Sequence, residues 1–160
     1  NSKEIVGESS RAKLTLPRDL TSFYTPSEKY DTIKGNQDKG NIGYTLSRKD
    51  PDRSIYVNIC TDSSDTLEEA IVFHNEHLSK GEEPFTEYTL GEYSGYRATR
   101  YTNYWNSAND TTYTYKLSYP VGDKNVILSC SVKLRDNSDD TTGLEDILLA
   151  ALQQLKVEVK

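Results

Sequence analysis

Four consecutive runs of alternating apolar and polar residues, at 85–90, 96–105, 111–119 and 125–134, lie between two segments of helical periodicity. Alternation with period two places successive side chains on opposite faces of a strand, whereas apolar residues three and four apart form one stripe of a helix. The turns between the runs hold Gly, Asn and Asp, which tolerate positive φ, so consecutive strands are expected to pair antiparallel. Upstream, residues 44–48 and 54–61 read as a further hairpin closed by Lys49-Asp50-Pro51-Asp52-Arg53. Strands, helix, four-strand meander and helix, in that order, fit two helices packed on a largely antiparallel sheet of six to seven strands. The predicted class is α+β.

Both helices carry a start signal. Thr66-Leu67-Glu68-Glu69 has the form of a capping box, with a helix predicted to run to about Lys80 before Gly81 and Pro84. Its stripe is Leu67, Ala70, Ile71, His74 and Leu78. Thr142-Gly143-Leu144-Glu145 opens the second, whose Leu144, Ile147, Leu148, Ala151, Leu152 and Leu155 make a wider apolar face. Leu14 and Leu16 predict a short strand ended by Pro17, and residues 17–43 read as an ordered loop over the core. The polar segment 1–12 reads as a leader or tether, leaving 13–160 as one α+β domain.

The chain has 160 residues, enough to bury about 70% of the surface of its unfolded form in one core. A formal charge of −6 with no run of Lys or Arg argues against nucleic acid as a partner. No apolar stretch approaches the roughly 20 residues needed to cross a bilayer. The start at Asn1 and the lack of Met point to a mature or trimmed product, with any membrane attachment made through an anchor upstream of Asn1. Strand parity puts Cys60 opposite Ile59 but Cys130 in line with Leu128 and Val132, so the two cysteines are expected to remain free thiols.

Chemistry is sparse. His74 and His77 stand three apart on a helix, but not in the zinc-protease spacing, and His74 within the apolar stripe reads as a packed, hydrogen-bonded ring rather than a metal ligand. The acidic clusters Asp62-Ser63-Ser64-Asp65 and Asp136-Asn137-Ser138-Asp139-Asp140 precede the helices, where negative charge meets the positive end of the helix dipole, and neither has EF-hand spacing. Ser10-Arg11-Ala12-Lys13 matches S-x-x-K without the companion motifs of that chemistry. No catalytic residue, metal site or cofactor is predicted.

Tyrosine is the unusual component: eight of twelve fall between Tyr88 and Tyr119, beside the single Trp105. Cross-strand packing accounts for most of them. Rings on the outer parity would suit stacking on sugars or anchoring a protein contact, and the candidate ligand-binding residues are Tyr96, Tyr101, Tyr104, Trp105, Tyr113 and Tyr115.

The order of Ala12-Lys13-Leu14-Thr15-Leu16-Pro17, Ile55-Tyr56-Val57, Thr66-Leu67-Glu68-Glu69-Ala70, Tyr88-Thr89-Leu90-Gly91-Glu92-Tyr93-Ser94-Gly95-Tyr96-Arg97-Ala98 and Ile147-Leu148-Leu149-Ala150-Ala151-Leu152 resembles the PsbP-like superfamily, in particular its bacterial lipoprotein branch. The resemblance implies an antiparallel sheet flanked by helices and a non-enzymatic accessory or binding domain outside the cytoplasm, surface-tethered or secreted. Pro17 is followed by Arg18-Asp19-Leu20 where that family carries an aromatic stretch. The expected role is therefore an extracytoplasmic binding domain for a protein or glycan. The alternatives are a hydrolase assembled from distant residues around His74 and a structural interaction domain of a cell-surface assembly.

Overall fold

A computed structural model describes residues 2–49, 52–103, 109–136 and 140–160. In chain order the elements are β1 (Glu4–Glu8), β2 (Ala12–Pro17), a 3-10 turn (Leu20–Ser22), β3 (Thr32–Asp38), β4 (Asn41–Lys49), β5 (Asp52–Thr61) and α1 (Leu67–Glu76). Then come β6 (Thr86–Leu90), β7 (Tyr93–Asn103), β8 (Asn109–Val121), β9 (Lys124–Asp136), α2 (Leu144–Gln154) and β10 (Lys156–Val159). Seven strands form one antiparallel sheet in the order β3-β4-β5-β9-β8-β7-β6, and a second sheet has the order β1-β2-β10. The α+β class and the antiparallel pairing are as the alternation predicted.

One face of the large sheet is the core. Ile42, Tyr44, Leu46, Ile55, Val57, Ile59, Leu117, Leu128, Val132 and Leu134 point to it and are buried. Over them lie Leu144, Ile147, Leu148, Ala151 and Leu152 of α2, with Ile5, Ala12, Leu14 and Leu16 of the small sheet beside the helix. The opposite face is covered only in part. There α1 buries Ile71 against Phe85 and Ala98, with Tyr96 half-buried beside them. The Cys60 and Cys130 thiols are free, and they sit on opposite faces because Cys130 opposes Ile59 across the β5–β9 ladder.

Several local expectations need correction. The segment read as a polar tether contains β1, which pairs with β2 from Glu4↔Pro17 to Glu8↔Lys13 and buries Ile5 completely. Its alternation is too short to stand out in sequence; burial comes from a distant contact, where Gly7 lets the backbone pass close to Gly40. The stretch 17–43 is not loop throughout, because β3 forms as an edge strand on β4. Its residues Thr-Ile-Lys-Gly-Asn-Gln-Asp lack apolar alternation since neither face of this edge is fully covered. The terminal Lys-Val-Glu-Val completes the small sheet as β10.

The helix α1 begins as predicted, with the Thr66 hydroxyl accepting from the Glu69 N–H, but stops at Glu76 rather than near Lys80. The backbone N–H of His77 turns back to the His74 carbonyl and closes the helix there. Thr142 does not cap α2. Gly143 does so, at φ 75° and without a side-chain hydrogen bond, which frees Glu145 for the contacts described below. The Asp50-Pro51 turn lies outside the described residues.

Candidate functional site

The four aromatic candidates among the described residues do not converge on one surface. Tyr115 is fully buried on the core face, and Tyr113 is half-buried on the same face. Tyr96 points to the other face, toward α1, and packs with Ile71, Phe85 and Ala98. Tyr101 is 54% exposed near the far end of β7. Tyr104 and Trp105 lie outside the described residues.

On the core face the rings organise a polar cluster instead. Tyr115 Oη donates to Glu145 Oε1 at 2.6 Å, Tyr88 Oη donates to Oε2 at 2.5 Å, and Arg97 Nη1 reaches Oε1 at 2.5 Å. The Arg97 guanidinium lies 4.1 Å from the Tyr88 ring centre and 4.9 Å from that of Tyr113, a cation between two π faces. Burial alone would raise the Glu145 carboxyl, but hydrogen bonds from Tyr115, Tyr88 and Arg97 outweigh it and hold the group below its ordinary value. Burial and the bond to Glu145 push the Tyr115 and Tyr88 hydroxyls up. A carboxylate receiving three donors is a fastener between α2 and the sheet, poorly placed to take a further proton from a substrate. Sequence reasoning missed Arg97: tyrosines stand on both parities of β7, Tyr93 and Tyr101 with Arg97 and Tyr96 against it, so alternation alone does not mark its face.

His74 is a packed ring, as its place in the stripe predicted. Its Nε2 faces the Glu83 carbonyl at 3.0 Å, its Nδ1 lies 3.6 Å from Glu82 Oε2, and its edge meets the Phe85 ring at 4.6 Å. These contacts bind the segment after α1 back to the helix. A second cluster joins Lys116 Nζ to Asp62 Oδ2 at 2.7 Å and to Ser129 Oγ at 3.0 Å. Lysine donates to both, so Ser129 faces a donor and not a base. Burial tends to raise the Asp62 carboxyl, yet the bonds from Lys116 and Ser64 leave it below its ordinary value. Among the described residues no three of His, Cys, Asp and Glu gather as metal ligands.

The feature with room for a ligand lies elsewhere. Where the start of β1, the end of β2 and the edge strand β3 meet, a hollow of about 820 Å³ opens to solvent. Pro17, Ile33 and the underlying Leu20 form an apolar floor, and Lys3, Arg18 and Lys34 stand around it. Arg18 is held in place: its Nε donates to the Ser2 carbonyl at 2.9 Å and Nη2 to the Glu4 carbonyl at 3.3 Å. Asp19 also borders the hollow, but its carboxylate accepts from the Thr21 N–H and hydroxyl and is turned into its own loop. Three cations against the one carboxylate of Asp19 leave the rim of this apolar floor net positive, which attracts a group that is negative at one end and greasy at the other. This site joins residues 3, 18 and 34, whose neighbourhood depends on β1 and β3 being strands, so local sequence carries no sign of it.

No family model matches the chain, and no curated protein does either. The fold is similar to that in the crystal structure of LpqN, involved in cell envelope biogenesis of Mycobacterium tuberculosis, with a TM-score of 0.50 and 13% identity over 96% of this chain and 87% of that one. At such identity the likeness is one of fold.

Proposed function

We propose that this chain is a non-enzymatic binding domain that works outside the cytoplasm, as an accessory of the cell envelope, and that its ligand sits in the hollow beside β3. The resemblance of its motifs to the lipoprotein branch of the PsbP-like superfamily and the fold it shares with an envelope-biogenesis protein support the location. The single observation that carries the binding role is the 820 Å³ hollow, which lies within the range of about 300–1,000 Å³ typical of small-molecule sites. Its lining selects the ligand class: an alkyl or similarly apolar body on Pro17 and Ile33, and an anionic group near Lys3, Arg18 and Lys34. The two clusters of hydrogen-bonding groups, around Glu145 and Asp62, are internally satisfied and serve cohesion.

Titration calorimetry with dodecyl phosphate and with neutral dodecyl maltoside tests this reading. Saturable binding of the phosphate, weakened about tenfold by Lys3→Glu combined with Lys34→Glu, is the expected result, since each exposed charge contributes about 0.2–1 kcal/mol. Ile33→Asp should abolish it. Absence of saturable binding, or binding that ignores both sets of substitutions, would rule the hollow out.

A further inference from the structure

The net negative charge of this protein is confined to one part of it. From Asp62 to Glu92 the chain holds nine carboxylates and one Lys80, so that stretch carries −8 while the remainder carries +2 against a total of −6. The stretch contains α1, and α1 is apolar on the wrong side. Phe73 is 72% exposed and Val72 46%, with Leu78 just beyond the helix at 44%. A helix that served only to cover the sheet would need Ile71 and its half-buried neighbours, and would carry polar residues outward.

The outward face has a definite order. Glu68, Glu69, Val72, Phe73, Glu76 and His77 follow at spacings of three and four, so the apolar pair is bracketed along the helix by exposed carboxylates. The Phe73 ring is not loose: His77 stacks on it at 4.3 Å and 19°, and His77 Nδ1 contacts the Phe73 carbonyl at 2.9 Å. A preorganised aromatic ring inside an acidic frame is a complementary surface for a cation-rich, apolar-centred partner. Membranes do not fit it, because helices that lie on anionic bilayers carry Lys and Arg around their apolar face. Nucleic acid is repelled by the same carboxylates.

We propose that the outer face of α1 docks a basic amphipathic segment of a partner protein, Phe73 and Val72 providing the anchor and Glu68, Glu69 and Glu76 the register. The site is independent of the hollow, which is built from other elements.

The test uses the whole chain and a fluorescent peptide, about 14 residues of Lys and Leu at helical spacing, with a control in which every Leu is replaced by Ser. Anisotropy should show the Leu peptide binding about tenfold more tightly than the Ser peptide, with Phe73→Ser removing that advantage and Tyr56→Ser, at another exposed ring, leaving it intact. Added salt should weaken both peptides. Equal binding of the two peptides, or of wild type and Phe73→Ser, overturns the proposal. So does self-association in sedimentation or binding to anionic vesicles that Phe73→Ser abolishes, since either would give the patch a different occupant. Circular dichroism confirms that the variant is folded, a check this exposed position should pass.

Discussion

Glu145 in the first turn of α2 and Arg97 in the middle of β7 are 48 positions apart in the chain and meet at 2.5 Å, with side chains 22% and 31% exposed. Glu145 also takes the Tyr88 and Tyr115 hydroxyls. Replacing it with Gln keeps the shape but removes the charge that all three donors share. The variant should lose about 1.5–3 kcal/mol, the range for hydrogen bonds to charged groups. The pH dependence has a definite sign: the folded carboxyl lies below its ordinary value, so its contribution is complete above the unfolded value of about 4.3 and fades as pH falls through the lowered folded value. Urea denaturation between neutral and acid pH should therefore show a shallower acid loss in Glu145→Gln than in wild type. Parallel acid limbs would mean that this carboxylate does not drive the dependence.

Ile5 in β1 is completely buried although it lies in a stretch with the polarity of a tether. Ile5→Ala should cost about 2–5 kcal/mol, as for other large-to-small core changes. A tether would cost nothing. The midpoint of urea unfolding distinguishes the two, and an unchanged midpoint would show that β1 does not contribute to the folded state.

The thiols make a contrasting pair. Burial raises both Cys60 and Cys130, but Cys60 is half-buried, on the polar side of β5, whereas Cys130 is enclosed in the core. Since the thiolate is the reactive form, Cys60 should alkylate slowly with iodoacetamide at neutral pH and Cys130 only on global unfolding. Mass spectrometry of the native protein should show one modification arriving well before the second. Simultaneous labelling would contradict the assignment of Cys130 to the core.

What the sequence disclosed follows from how local the signal was. The β6 to β9 meander was visible because alternation and turn residues recur within a few positions, and Thr66 identified the start of α1 because a cap is a contact over three residues. Alternation along β8 puts Tyr113, Tyr115 and Tyr119 on one face with Leu117, but it does not say that this face meets α2, or that Arg97 lies between Tyr88 and Tyr113. The edge strand β3 was hidden because its order comes from β4 across a turn in which Lys39 takes φ 55°, a conformation usually left to Gly or Asn. The hollow followed it into obscurity, since Lys34 becomes a neighbour of Lys3 and Arg18 only once β3 is in place.

Gly43 offers the sharpest check on the sheet itself. In the β4–β5 ladder it opposes Asn58, and a β-carbon built there would stand 1.8 Å from the Val57 carbonyl oxygen and 2.7 Å from its carbon. These are backbone atoms of a central strand, so no side-chain rotation relieves the clash; β5 must shift, and β9 is paired to its other edge. Gly43→Ala should therefore cost about 2–4 kcal/mol, in the upper half of typical overpacking effects or beyond them. Gly40 supplies the control. A β-carbon there meets nothing nearer than the Glu8 carbonyl oxygen at 3.5 Å, an ordinary contact, so Gly40→Ala should stay within about 1 kcal/mol of wild type. Thermal unfolding of the two variants measures the difference directly. If Gly43→Ala is as stable as Gly40→Ala, the two strands are not as closely opposed at this position as the register of β4 on β5 requires.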